Sequence, residues 1–172
     1  MSDSINPTTP SGVVTLRSIT PEDMPFLLEV YSSSRAEELT QTDWDDEQKA
    51  AFLKMQFEAQ HAYYQENYKG TSFDVILIDG QPAGRLYVAR LKDEIRIVDI
   101  ALLQHWRSRG TGTALIKELF AEASAAGKPL RIHVEKFNPA LRLYERLGFK
   151  AIADRGVYWF MEWRKESMKE EV

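Results

Sequence analysis

Three features of the sequence predict an α+β fold, a mixed α/β arrangement in which helices flank one central sheet. The first is a hairpin pattern: F-D-V-I-L-I (Phe73 to Ile78) and A-G-R-L-Y-V-A-R-L (Ala83 to Leu91) flank D-G-Q-P, with Asp79-Gly80 as a strong two-residue turn signal. The second is an apolar strand opening at Glu94, E-I-R-I-V-D-I-A-L-L. It runs through an Arg- and Gly-rich turn into the helical pattern T-A-L-I-K-E-L-F-A-E-A and then into a further strand, Leu130 to Glu135. A right-handed crossover through that helix makes the two strands parallel neighbours. The third is a closing hairpin in F-K-A-I-A-D-R-G-V-Y-W-F-M-E-W-R. Together they predict a mostly antiparallel sheet of about six to seven strands, with a parallel pair at its centre and about four helices around it.

The other elements follow in chain order. Residues 1–12 are rich in Ser, Thr and Pro and read as a flexible leader; 13–165 suit a single domain, and 166–172 a charged tail. Val13 to Ile19 alternates and is β-branched, a first strand. Thr20-Pro-Glu-Asp then supplies an N-cap, a first-position Pro and two first-turn acids for a helix from Pro21 to about Ser32. Ser33 to Trp44 is polar. Asp43, Asp45 and Asp46 open a long helix to Tyr68, on which Phe52, Met55, Ala59, Ala62 and Tyr63 mark one apolar face and Leu53, Phe57, Tyr64 and Tyr68 a second, so cover is expected on both sides. Later, Asn138-Pro139 is a cap followed by a first-position Pro, Leu143 and Leu147 form an i, i+4 pair, and Gly148 closes that helix.

Composition narrows the function. The chain has 172 residues, 44% of them hydrophobic, which suits one domain with a sizeable core. Its net charge of −4 and the lack of any Lys/Arg-rich run argue against a nucleic-acid surface. Without cysteine there are no disulfides, thiolate metal sites or Cys nucleophile. No apolar run approaches the roughly 20 residues of a membrane helix, and the polar start is no signal peptide, so no membrane partner and a cytoplasmic location are expected. His61, His105 and His133 show no metal-ligand spacing, so no metal is expected. The absence of G-x-S-x-G argues against a Ser nucleophile.

In the turn after the long strand, Gly110 and Gly112 carry no Cβ, so backbone N–H groups can surround an anion, and the helix that follows turns its positive end toward it. Arg107 and Arg109 add charge. A dinucleotide fingerprint would need a third Gly where Leu115 stands, and a phosphate loop would need Gly-Lys-Ser/Thr; both are missing. Arg107, Gly110 and Gly112 instead meet Arg/Gln-x-x-Gly-x-Gly/Ala, which resembles the acyl-CoA signature of the GCN5-related N-acetyltransferase (GNAT) family. The segment N-P-A-L-R-L-Y-E-R-L-G-F (Asn138 to Phe149) resembles that family's C-terminal acyl-CoA motif and is the more specific match. The resemblance covers the chain from Val13 onward and is weak from Ser33 to Tyr68, where an acceptor would be chosen.

The resemblance implies a GNAT fold, acetyl-CoA as donor and an amine as acceptor. It puts Arg107, Ser108, Arg109, Gly110, Thr111, Gly112 and Thr113 on the pyrophosphate. Backbone N–H groups of Ile100, Ala101 and Leu102, at a family bulge, then bond the pantetheine arm and polarise the thioester carbonyl. It also places Asn138 on pantetheine and the Tyr144 hydroxyl as the acid that protonates the CoA thiolate. An alkyl amine with a pKa near roughly 10.4 must lose a proton before attack, which calls for a carboxylate or water. Glu94 and Asp99, at the start of the long strand and within it, are the candidates, with Glu94 preferred. Each also has a plain reading: Glu94 as a strand-end surface charge, Asp99 as a structural acid at the bulge. Trp44, Phe57 and Tyr64 are candidate walls of an acceptor pocket, and Glu37 and Glu38 candidate contacts to an acceptor ammonium. The acceptor expected is a small-molecule or peptide amine. A CoA-binding module without catalysis is the alternative, and the aromatic ending V-Y-W-F-M-E-W is a candidate homodimer surface.

Overall fold

The structure is a computed structural model and describes residues 6–166. Among these the order is β1 (Thr8–Thr9), β2 (Gly12–Ser18), a 3₁₀ turn (Pro21–Asp23), α1 (Met24–Leu39), α2 (Asp46–Asn67), β3 (Ser72–Ile78), β4 (Gln81–Arg90) and β5 (Ile95–Leu102). A second 3₁₀ turn (Gln104–Trp106), α3 (Thr111–Ala126), β6 (Leu130–Glu135), α4 (Leu141–Arg146), β7 (Lys150–Arg155) and β8 (Tyr158–Trp163) complete it. The strands form one eight-stranded sheet in the order β1-β2-β3-β4-β5-β6-β8-β7. β5 and β6 run parallel, pairing Ile95, Arg96 and Ile97 with Leu130, Arg131 and Ile132. β1 with β2, β2 with β3, β6 with β8, and β7 with β8 are antiparallel. The mixed α/β class with its parallel pair is the predicted one. The eighth strand is β1, from the expected leader: Gly12, at φ +131, folds Thr8 and Thr9 back onto Val13 and Gly12. Most of the expected tail, and the first five residues of the leader, lie outside the described residues.

Contacts group the chain into two compact units. One holds the described residues up to Tyr87 with Asp99–Gly112; the other holds Val88–Val98 with the described residues from Thr113 on. In the first, Leu27 and Tyr31 of α1 bury against Phe57 of α2, with Ile19, Met24, Phe26, Leu28 and Leu53 packed around them. Burial of side chains this size contributes about 1.5–3 kcal/mol each. That packing extends α1 past the expected Ser32: Tyr31 and Leu39 are buried, and the Ser34 hydroxyl donates to the Tyr31 carbonyl at 2.7 Å, so tertiary burial overrides the low helix propensity of Ser32 to Ser34. In α2, Asp45 caps the helix by accepting from the Gln48 N–H at 2.7 Å. Among the described residues only one of its two apolar faces is covered, because α1 packs on the Leu53 and Phe57 side, whereas Met55 and Tyr63 on the other stand 59% and 56% exposed.

Between β3 and β4, Asp79 (φ 48) and Gly80 (φ 81) make the expected left-handed turn, and the Asp79 carboxylate accepts from the Val13 N–H at 2.8 Å. In the second unit, Leu115, Ile116, Leu119 and Ala123 of α3 are buried at the predicted helical spacing, and Phe120 stacks on Trp163 at 4.0 Å between ring centres.

Candidate active site

In the first unit the sequence-predicted anion turn is built around left-handed backbone. Ser108 (φ 60) and Gly110 (φ 84) reverse the chain, and α3 begins at Thr111. A Cβ placed on Gly110 or Gly112 would meet nothing within 4 Å, so open space faces both, and the first N–H groups of α3 point out of the helix without intrahelical partners. Thr111 is 1% exposed, and its hydroxyl has no hydrogen-bond partner among the described residues. This is a cradle of the kind an anion such as a pyrophosphate fits. Arg107 also braces the turn. Its Nε donates to the Leu102 carbonyl at 2.8 Å and one terminal nitrogen donates to the Ser33 hydroxyl at 3.3 Å, so it ties the turn to the end of β5 and to α1. The Arg109 guanidinium lies over the Trp106 ring at 5.7 Å.

The end of β5 comes unusually close to β4. A Cβ on Gly84 would stand 2.1 Å from the Ala101 carbonyl oxygen and 2.9 Å from the Leu102 Cα, so only glycine fits beside the Ile100 to Leu102 segment. Next to it in sequence, Arg85 is 3% exposed. One of its terminal nitrogens donates to Asp99 Oδ2 at 2.7 Å and to Gln60 Oε1 at 2.9 Å, and the Tyr64 hydroxyl donates to the same Asp99 oxygen at 3.4 Å. Tyr87 completes the cluster, edge-on to Tyr64 at 6.0 Å. Burial alone works against the charge on Arg85, but Asp99, then Tyr87 and Tyr64, more than offset it, and its pKa lies above the ordinary value. Tyr64 is pushed up by burial and then by Asp99, so it stays a hydrogen-bond donor. His61, one turn from Phe57 and tilted against its ring, is pushed down by burial and then by Arg85, which favours neutral imidazole.

The acceptor candidates do not form one group. Tyr64 belongs to the Asp99 cluster. Phe57 is 2% exposed in the core between α1 and α2, where it packs with Leu27 and Tyr31. Trp44, 39% exposed, packs edge-on to Phe52 at 4.9 Å, a residue about 18 Å along α2 from Tyr64. Glu37 and Glu38 lie in the last turn of α1 rather than in a loop; both are exposed, and Glu38 pairs with Arg35 at 3.2 Å. Arg85, Gln60 and Gly84 were not singled out by the sequence. Their signal was there in part: Arg85 is the one charged residue within the apolar run A-G-R-L-Y-V-A.

In the second unit, Tyr144 lies in α4 and is 6% exposed. The helix ends in a Schellman motif: the Phe149 N–H donates to the Tyr144 carbonyl at 3.0 Å and the Gly148 N–H to the Glu145 carbonyl at 3.1 Å, with Gly148 at φ +105. The Tyr144 and Phe149 rings meet edge-on at 5.5 Å, so the motif's Tyr and Gly-Phe positions are one local device that fixes the phenol. α4 starts later than expected. Asn138 Oδ1 accepts from the Ala140 N–H at 2.8 Å and its carbonyl accepts from the Leu141 N–H at 3.0 Å, so Asn138 and Pro139 form a turn ahead of the helix. Thr113 is half-buried in the first turn of α3. Glu94 has both carboxylate oxygens taken by Arg96, at 2.7 and 3.1 Å, with Arg131 at 3.8 Å.

Residues 40–160 match the family model described as the acetyltransferase (GNAT) domain. No curated protein sequence matches the chain. Among solved structures it is similar to PaiA N-acetyltransferase from Thermoplasma acidophilum in complex with coenzyme A, with a TM-score of 0.67 at 16% identity over 88% of this chain and 99% of that one. The ribosomal-protein-S18-alanine N-acetyltransferase from Escherichia coli gives 0.59 at 19% identity, over 87% of this chain and 92% of that one. Ard1 from Thermoplasma volcanium gives 0.58 at 19% identity, over 88% and 96%. The chain therefore belongs to the GNAT acetyltransferase family, whose members use acetyl-CoA as acyl donor.

Proposed function

We propose that this chain is an acetyl-CoA-dependent N-acetyltransferase that moves the acetyl group to a primary amine by direct attack within a ternary complex. The observation that carries the reading is the Asp99 carboxylate. Its Oδ2 is held by Arg85 and Tyr64, and no described residue bonds its Oδ1. Arg107 to Thr113 take the pyrophosphate through the Gly110 turn and the α3 N-terminus. β5 pairs in parallel with β6 over Ile95 to Ile97, ahead of the Ile100, Ala101 and Leu102 backbone groups that bond the pantetheine arm and the thioester carbonyl.

The acceptor ammonium first gives a proton to Asp99 Oδ1, which passes it to solvent; the neutral nitrogen then forms a bond to the thioester carbon and gives its next proton to the same oxygen. The tetrahedral oxyanion collapses, the C–S bond breaks, and the thiolate takes a proton from the Tyr144 hydroxyl. Asp99 fits the base role better than Glu94, whose oxygens are both engaged by Arg96. Asn138 bonds the pantetheine through its amide nitrogen. Tyr64 borders the acceptor, which is a small-molecule or peptide amine.

Thermal stabilisation by acetyl-CoA, run beside thiol release against a panel of amines, tests the reading. Stabilisation with amine-dependent release is the expected result. Stabilisation with no release over the whole panel would favour a CoA-binding module, and no stabilisation would overturn the reading of the Gly110 turn.

A further inference from the structure

We infer that Arg85 is a positioning residue for acetyl transfer: it clamps one oxygen of Asp99 so that the other is presented to the acceptor amine. The inference rests on the N-acetyltransferase reading and extends it to a residue outside the family's acyl-CoA motifs. Three observations carry it. Both donors that reach the Asp99 carboxylate converge on Oδ2, from Arg85 at 2.7 Å and Tyr64 at 3.4 Å, and among the described residues none reaches Oδ1, although the side chain is 17% exposed. A carboxylate so held has one orientation and one vacant acceptor position. Gln60 then grips the same Arg85 nitrogen at 2.9 Å, fixing the clamp from α2 while β4 carries it and β5 carries the acid.

The third observation is cost. Arg85 has a side chain only 4% exposed, and its Nε, like the hydroxyl of neighbouring Tyr87, has no hydrogen-bond partner among the described residues. A buried ion pair is commonly no more stable than an apolar pair of the same volume, and each unsatisfied buried donor is destabilising. Stability alone does not account for a guanidinium here. Orientation of a reacting carboxylate does, because the proton leaving the amine must find Oδ1 within hydrogen-bond reach while the nitrogen attacks.

The test uses the full-length protein and the best amine from the panel. Arg85→Met should lower kcat on the order of 100-fold while leaving the KM for acetyl-CoA within about threefold, and Arg85→Lys, which keeps a cation facing Asp99, should restore at least about tenfold of that loss. If Arg85 acts through Asp99, Arg85→Met placed in an Asp99→Asn background should cost less than about threefold more. A purely structural Arg85 would instead give losses that add in the double variant, track thermal stability, and are not rescued by Lys; any of these overturns the proposal. Should Arg85→Met fail to fold, Gln60→Ala decides. A kcat reduced by about threefold or more at unchanged acetyl-CoA KM supports the clamp, and an unchanged kcat overturns it. Wild-type protein that binds acetyl-CoA but acetylates no amine would overturn the transfer reading and the clamp with it. Wild-type turnover with Arg85→Met unchanged would overturn the clamp alone.

Discussion

Two carboxylates, Glu94 just ahead of β5 and Asp99 within it, each face an arginine, yet their geometries differ in kind. Glu94 meets Arg96 as a fork, with one guanidinium nitrogen on each oxygen, and Arg131 stands behind it at 3.8 Å. Asp99 meets Arg85 through one oxygen only, with Tyr64 on that same oxygen. A third pair, Arg17 with Asp23, resembles the first: both Asp23 oxygens are taken, at 2.7 and 2.8 Å. An acid with both oxygens bidentately paired is a structural element, whereas one held by a single oxygen keeps an acceptor in hand. The contrast separates a latch from a tool.

The sharpest way to break this contrast is to neutralise Glu94 and Asp99 in turn. Asp99→Asn should reduce kcat on the order of 100-fold or more with acetyl-CoA stabilisation intact, while Glu94→Gln stays within about threefold; steady-state kinetics showing the reverse order would reassign the base. Gly84→Ala comes next. Its Cβ would meet the Ala101 carbonyl oxygen at 2.1 Å, and because that atom is backbone, the end of β5 must move. A loss of about 2–3 kcal/mol by denaturant unfolding is expected, and wild-type stability would show that the close approach is dispensable. Tyr144→Phe keeps the edge-on contact with Phe149 and removes only the hydroxyl. It should lower kcat by about 10- to 100-fold, and unchanged kcat would remove the general acid.

Asp23→Asn gives the smallest effect and the structural benchmark. Its carboxyl is pulled down to about 2, chiefly by the hydrogen-bonded Arg17, against burial, with the Thr20 N–H also donating to it. A carboxyl depressed on folding contributes stability that is whole above its unfolded pKa, near roughly 4, and is lost as pH falls through the folded value. With Arg17 partly in solvent, that stability amounts to about 1 kcal/mol at neutral pH. Thermal melts should show Asp23→Asn less stable at pH 7, with the difference shrinking below about pH 4 and vanishing only below about pH 2, and with kcat unaffected. A kcat effect would blur the distinction between the two kinds of pair.

Legibility in the sequence follows the range of the interactions. The Gly110 turn, the Asp79-Gly80 hairpin and the Schellman end of α4 are set by a few neighbouring residues with special backbone angles, and such signals are written locally. Strand and helix order followed from periodicity. Where tertiary contacts decide, the sequence was mute. α1 runs past its serines because Tyr31 and Leu39 bury, and Phe57 is buried because α1 packs over it. The Asp99 partners come from α2 and β4, with Gln60 and Tyr64 far away along the chain, and no local pattern joins them. The preference for Glu94 over Asp99 rested on position in a strand; the distribution of donors over oxygens, which separates the two acids, exists only in the folded chain.

The central claim is direct acetyl transfer to an amine. Intact-mass measurement of the protein mixed with acetyl-CoA and quenched, with and without the acceptor amine, tests it most directly. The account predicts no acetyl group on the protein in either sample and one acetyl group on the amine nitrogen when acceptor is present. An acetylated protein whose acetyl group chases to the amine, or an amine that stays unmodified across the panel, would contradict it.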